Sequence, residues 1–169
     1  PATEIGYETH LGSAEKATWA QAARETVKAL ITLQSANEND IDIYCLRDTS
    51  HEYNSFGMLS STYDSTDILY GVNQYAAELG DAVYAAPINT GDSTLFGHLY
   101  IKRDKTPIAV MYAAVGQSEK SYSFGGSVTY EDFYGNNAQT ATDVTIGENP
   151  VYIKGLTMDN VKEIVKAEL

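Results

Sequence analysis

Up to Gly80 the apolar residues of this chain recur at helical spacing, and beyond it they alternate as strands do. That change of period rules out one repeating layer for all 169 residues and marks a candidate boundary between domains 1–80 and 81–169. Before the boundary, Trp19, Ala23, Val27, Leu30 and Ile31 follow one another at four, four, three and one, drawing a single stripe on a helix over 13–35. Ser13 is its expected cap, and Glu15 complements the dipole of its first turn. A strand-like segment around Glu4 precedes this helix. Asn37, Glu38, Asn39 and Asp40 read as a polar turn after it, and Ile41 to Leu46 as the next strand. Strand, helix, strand is the unit of a parallel sheet, because parallel neighbours need a crossover of this length. A long loop over 47–64, rich in Ser, Tyr, Asn and Asp, then leads to a second helix over 65–79. Ile68, Leu69, Val72, Tyr75, Ala76 and Leu79 lie on one side of that helix, and Gly80 stops it.

After Gly80, β-type runs over 82–88, 95–102, 107–115, 120–130 and 143–154 are separated by turn clusters such as Asn89-Thr90-Gly91-Asp92 and Gly135-Asn136-Asn137. Regular spacing of this kind predicts an antiparallel β-sandwich. Thr157 caps a short last helix that turns Val161, Ile164 and Val165 inward. The expected fold class is therefore α/β followed by all-β.

A net charge of −12 with only 11 scattered Lys and Arg argues against nucleic acid, whose phosphates demand clustered cations. No stretch approaches the roughly 18 apolar residues of a membrane-spanning helix. The single Cys45 excludes an internal disulfide framework. It reads as a buried small hydrophobe on a central strand, since no motif places a His or Asn partner beside it. His10, His51 and His98 lack metal-ligand spacing, and Asp40 and Asp42 lack the Gly and terminal Glu of a calcium loop. No metal site and no cofactor are expected.

A carboxylate at the carboxyl end of a parallel strand sits where α/β enzymes place their chemistry, and this makes Glu4 the first candidate functional residue. A solvated terminal carboxylate is the competing reading. Tyr44 and Arg47, at the end of the next strand, are candidate substrate-binding residues; plain core and surface roles compete with that reading. His10 lies just beyond Glu4 and is the one histidine placed to reach the same face. The tyrosines of the second half, Tyr112, Tyr122, Tyr130, Tyr134 and Tyr152, form either a ligand platform or ordinary strand packing.

Thr3-Glu4-Ile5-Gly6-Tyr7-Glu8-Thr9-His10, then Ile43-Tyr44-Cys45-Leu46-Arg47-Asp48, Phe56-Gly57-Met58-Leu59 and the helix from Leu69 to Leu79 together resemble the end of a clan A glycoside hydrolase. These are retaining (β/α)8-barrel enzymes, among them cellulases and xylosidases, whose seventh strand ends in a Thr-Glu-Phe-Gly-like motif. Thr106-Pro107-Ile108-Ala109-Val110, Asp132-Phe133-Tyr134-Gly135-Asn136 and Ile146-Gly147-Glu148-Asn149-Pro150-Val151-Tyr152-Ile153 resemble strands of the sandwich appended to such barrels. The resemblance covers nearly the whole chain. Cys45, where these enzymes often carry Asp, and Thr49-Ser50, in place of Asp-Gly, depart from the pattern.

The resemblance implies the last two βα units of a (β/α)8 barrel over 1–80 and an accessory sandwich over 81–169. It implies Glu4 as the nucleophile, Tyr44, Arg47 and His10 at the sugar, and a carbohydrate as substrate. The remainder of the barrel, with the acid/base carboxylate from its fourth strand, is then expected upstream, and this stretch alone is expected to be inactive. An extracellular or periplasmic location is implied too. A non-catalytic carbohydrate-binding or structural β-sandwich module is the alternative. An acidic, Tyr-rich surface protein with no sugar ligand is a third reading.

Overall fold

The computed structural model describes residues 2–7, 9, 18–38, 40–48 and 56–165. The chain divides into two compact units, 1–75 and 76–169.

In the first unit, β1 (Ala2–Ile5) and β2 (Ile41–Ile43) pair in parallel, with α1 (Trp19–Ser35) between them in sequence. Helix α1 starts at a capping box: the Thr18 hydroxyl accepts the Gln21 N–H at 3.2 Å, and the Gln21 side-chain oxygen accepts the Thr18 N–H at 2.8 Å. The expected cap, Ser13, lies outside the described residues. At the other end Asn37 takes φ 67°, and the Asn37 and Glu38 N–H groups return to the Gln34 and Leu33 carbonyls at 3.0 Å each. A short polar side chain tolerates this left-handed stop, which satisfies carbonyls the helix leaves open. Ala23, Val27, Leu30 and Ile31 of the expected stripe are buried, with Ala22 beside them, while Trp19 is half-buried. Helix α2 (Asp67–Leu79) begins in this unit, and the division between the units falls within it. The Tyr75 hydroxyl donates to the Gln34 side-chain oxygen at 3.0 Å, tying α2 to α1.

The second unit is a six-stranded antiparallel sheet in the order β3-β4-β5-β8-β6-β7. Its strands are β3 (Val83–Pro87), β4 (Leu95–Ile101), β5 (Pro107–Ala113), β6 (Lys120–Glu131), β7 (Gln139–Ile146) and β8 (Val151–Lys154). The single strand expected over 143–154 is two strands. Gly147, Glu148, Asn149 and Pro150 break it, and the chain re-enters the sheet between β5 and β6. The Ala113 N–H donates to the Gly147 carbonyl at 2.7 Å, although β5 and β7 stand three places apart in the sheet. The sheet therefore curls until its far strand meets the middle, which makes the unit sandwich-like from one continuous sheet. The curl is made in β6, where the register shifts between Ser123 and Val128 and Gly125 takes φ +69°.

One face of this sheet closes on a core of Leu99, Met111, Phe124, Val144, Ile146 and Ile153. The final helix α3 (Met158–Ile164) adds Ile164, with Val161 and Val165 packed at the margin. Asn160 closes a capping box with Thr157 and donates its side-chain N–H to the Phe124 carbonyl at 2.8 Å, pinning α3 to the bend of β6. On the opposite face Tyr100, Val110 and Tyr152 are fully buried. Strand β5 is thus covered on both sides, and its near-continuous apolar sequence fits that position.

Candidate active site

Strand β1 ends at Ile5, and its carbonyl accepts the Tyr44 N–H at 2.8 Å just past the end of β2. Gly6 follows, and a methyl group on it would stand 2.5 Å from the Tyr44 carbonyl oxygen. Only glycine lets the two strand ends lie this close. Glu4 and Asp42 are exposed, while Ile5, Ile41 and Ile43 are half-buried. Strand alternation accounts for the difference: the carboxylates of both strands emerge on one face and the isoleucines on the other.

The chain past β2 does not continue as the expected strand to Leu46. It turns at Tyr44, whose peptide bond to Cys45 is cis, and then runs beside a later segment. The Met58 and Leu59 N–H groups donate to the Cys45 and Leu46 carbonyls at 3.0 and 2.9 Å, and the Asp48 N–H donates to the Leu59 carbonyl at 3.0 Å. Asp48, buried, accepts the Phe56 and Gly57 N–H groups at 2.8 and 2.7 Å through one oxygen. Buried Thr66, just before α2, donates to the Gly57 and Met58 carbonyls at 3.0 and 2.9 Å. The described part of the long loop is therefore a fixed structure with its backbone groups satisfied. Cys45 lies off the strand and is half-buried, not a fully covered core residue. Its thiol donates to the Arg47 carbonyl at 3.4 Å.

Tyr44 is 40% exposed and meets Phe56 edge to face, with ring centroids 5.5 Å apart. Arg47 holds its guanidinium 4.3 Å from the centroid of the Tyr63 ring. Tyr63 itself is 68% exposed. Tyr7, three residues past Glu4, is also at the surface; partial burial and then the Glu25 carboxylate raise its hydroxyl pKa. The structure thus brings Tyr44 beside the chain that carries Glu4 and places Arg47 with Tyr63. His10 lies outside the described residues. Phe56 is named in the sequence only as part of a motif and not as a site residue, and for Tyr63 the one signal is its place in a long polar loop after a parallel strand. The turn that carries Tyr63 also helps to wall a cleft of about 260 Å³ lined by Trp19, Ser60, Asp64, Ser65, Thr66 and Asp67.

Of the two roles weighed for the tyrosines of the second unit, the structure gives packing; Tyr134 meets the buried Phe133 edge to face, with ring centroids 4.6 Å apart. Tyr112 and Tyr152 are buried, and Tyr122 and Tyr130 pack against the core. His98 is stacked on Tyr112 at 5.9 Å, and burial lowers its pKa. Glu78 bridges Lys102 at 2.9 Å and Lys154 at 3.1 Å. Burial works to raise the Glu78 pKa, but the two lysine contacts outweigh it and the net shift is downward. Among the described residues no three His, Cys, Asp or Glu side chains gather as a metal site would require.

No protein-family model matches the chain, and no curated protein matches it. Its fold is similar to part of a solved family 39 glycoside hydrolase from the gut symbiont Bacteroides cellulosilyticus WH2, with a TM-score of 0.70 and 12% identity. The similarity covers 90% of this chain and 32% of that protein, so the chain spans about a third of its length. At this identity the likeness is one of fold. What it establishes is a likeness of fold to part of a glycoside hydrolase.

Proposed function

We propose that this chain is the C-terminal part of a retaining β-glycoside hydrolase. In this reading β1 and β2 are the last two strands of a (β/α)8 barrel, and 76–169 is the accessory sandwich. The observation that carries it is the fold likeness over 90% of the chain to a glycoside hydrolase, combined with an acidic residue at the carboxyl end of a parallel strand. Among the described residues β1 pairs with β2 alone, and a two-stranded sheet has little stability of its own, which supports a reading that supplies further strands.

Glu4 is the nucleophile in this mechanism. A retaining glycosidase sets two carboxyl groups about 5 to 5.5 Å apart: one attacks the anomeric carbon and the other protonates the departing oxygen. Glu4 attacks as the carboxylate and forms a glycosyl ester. Water, deprotonated by the second carboxyl group, then displaces the sugar and restores Glu4. The second group comes from a strand outside this chain. Tyr44 and Arg47 line the sugar site, and His10 is the remaining candidate for contact with the sugar. The substrate is a β-linked carbohydrate met outside the cytoplasm, in the extracellular space or periplasm; neither nucleic acid nor membrane is a partner. Replacing Glu4 by Gln in the complete protein removes a nucleophile while keeping shape, and turnover of β-glycosides is expected to fall at least about 1,000-fold. Undiminished turnover would exclude the role.

A further inference from the structure

We propose that Tyr63, positioned by Arg47, is a stacking platform for an uncharged pyranose ring, forming a subsite beside the strand ends. This rests on the glycan reading above and adds a binding residue to it.

The backbone at Tyr63 points to this role. Its φ is +69°, a conformation that costs a bulky L-residue energy and that glycine adopts freely. Asn37 and Asn137 share the left-handed region, where short polar side chains are tolerated, and so does Lys105 at φ 73°, in a turn closed by the same pair of backbone bonds. The turn sets the conformation at Tyr63, and a bulky side chain stands there where glycine would cost less. That turn is tightly made. The Ser60 N–H donates to the Asp64 carbonyl at 2.8 Å, the Tyr63 N–H to the Ser60 carbonyl at 3.0 Å, and the Thr62 hydroxyl to the Asp64 carboxylate at 2.6 Å. These bonds hold the ring out from the protein, where it is 68% exposed and contributes little to any core. An exposed cation–π pair is a weak attraction, so the contact with Arg47 does not explain why tyrosine occupies a glycine-like position. Strain kept at an exposed aromatic is the pattern of a group retained for what it binds.

The chemistry of the pair selects the ligand. The guanidinium, 4.3 Å from the ring centroid, covers one face of Tyr63. The other face suits a flat apolar surface, which a pyranose offers as its C–H side. Hydroxyls at the rim of such a ring find donors on Arg47 and acceptors on the exposed Asp64 carboxylate of the same turn. A chain of net charge −12 disfavours a phosphate-bearing ligand at this place. Arg47 lies three residues past Tyr44, no more than about 10 Å of extended backbone. An oligosaccharide seated at Tyr44 therefore reaches Tyr63.

The test is titration of the complete protein, carrying Glu4→Gln so that binding is read without turnover, with cellohexaose and with xylohexaose, followed by calorimetry alongside thermal melts. Saturable binding of either sugar is expected, kept within about twofold by Tyr63→Phe and weakened about tenfold or more by Tyr63→Gly. The Tyr63→Gly melt is expected at or above the wild-type midpoint, a result a purely structural tyrosine would not give. Arg47→Ala weakens binding, and Arg47→Lys restores part of it. Binding unchanged in Tyr63→Gly, a lowered melt in that variant, or no saturable binding by the complete protein with Tyr63 in place would each overturn the subsite. None of these touches the glycosidase reading, which stands or falls on turnover by Glu4→Gln.

Discussion

Substituting Gly6 by Ala tests the closeness of the two strand ends. The added methyl would stand 2.5 Å from the Tyr44 carbonyl oxygen, where real contacts begin at 3.0 Å, so the backbones must part by about half an ångström. The obstructing atom belongs to the backbone and has no rotamer to yield. Phe56, 3.5 Å away, blocks the opposite shift. The Tyr44 N–H bond to Ile5, 2.8 Å long and one residue distant, would stretch with the movement. Overpacking costs about 1–3 kcal/mol and the weakened bond about 1 more, while a stiffer unfolded chain returns roughly half a kcal/mol. The net loss is about 2–3 kcal/mol. Trp19 is the one tryptophan of the chain and opens α1, so its fluorescence reports on the 1–75 unit during urea unfolding. With a slope of about 1–2 kcal/mol per molar, the midpoint should fall by about 1–3 M. A midpoint within about 0.3 M of wild type would refute the packing argument at the strand ends.

Two further substitutions probe the 76–169 unit. Glu78→Gln leaves Lys102 and Lys154 without their shared carboxylate and should lower stability at pH 7 by about 1–3 kcal/mol, read by urea unfolding. Because the Glu78 pKa is depressed in the fold, its contribution is complete above about pH 4.5 and disappears as pH falls through the folded value; the variant should lack that part of the acid loss. His98 depends on pH in the same direction, in a higher window. Its pKa is lowered by burial and its Nδ1 is buried without a hydrogen-bond partner among the described residues, so the unfolded chain takes up the proton first. The melting midpoint should drop as pH falls from about 6.5 toward the folded value, and His98→Phe should flatten that segment of the profile. An equal drop in the variant would assign the dependence to another group.

Much of this architecture could be read from residue order because local signals and packing agree. Ala23, Val27, Leu30 and Ile31 marked the buried side of α1, and they are buried. Its start was misplaced because Ser13 is an attractive cap, while the reciprocal Thr18 and Gln21 pair was overlooked. The break between β7 and β8 was signalled by Gly147 and by Asn149-Pro150, but a run of apolar residues on both sides hid it. Tyr112 and Tyr152 have the packing role that strand alternation favours: β5 and β8 are interior strands, and both rings are buried. At the candidate site, the position of Glu4 at a strand end followed from the strand, helix, strand order. The partnership of Arg47 with Tyr63 did not, because it depends on a loop folding back beside residues 45–48. Nothing in a tyrosine's sequence context announces a positive φ.

The central claim is that Glu4 is the carboxylate that bonds to sugar. The most direct measurement treats the complete protein with a 2-deoxy-2-fluoro-β-glycoside bearing a good leaving group and maps the modified peptide by mass spectrometry. The account predicts one glycosyl adduct, carried by Glu4 and released slowly with retained anomeric configuration. An adduct on a different carboxylate, or hydrolysis that inverts the anomeric centre without any adduct, would contradict it.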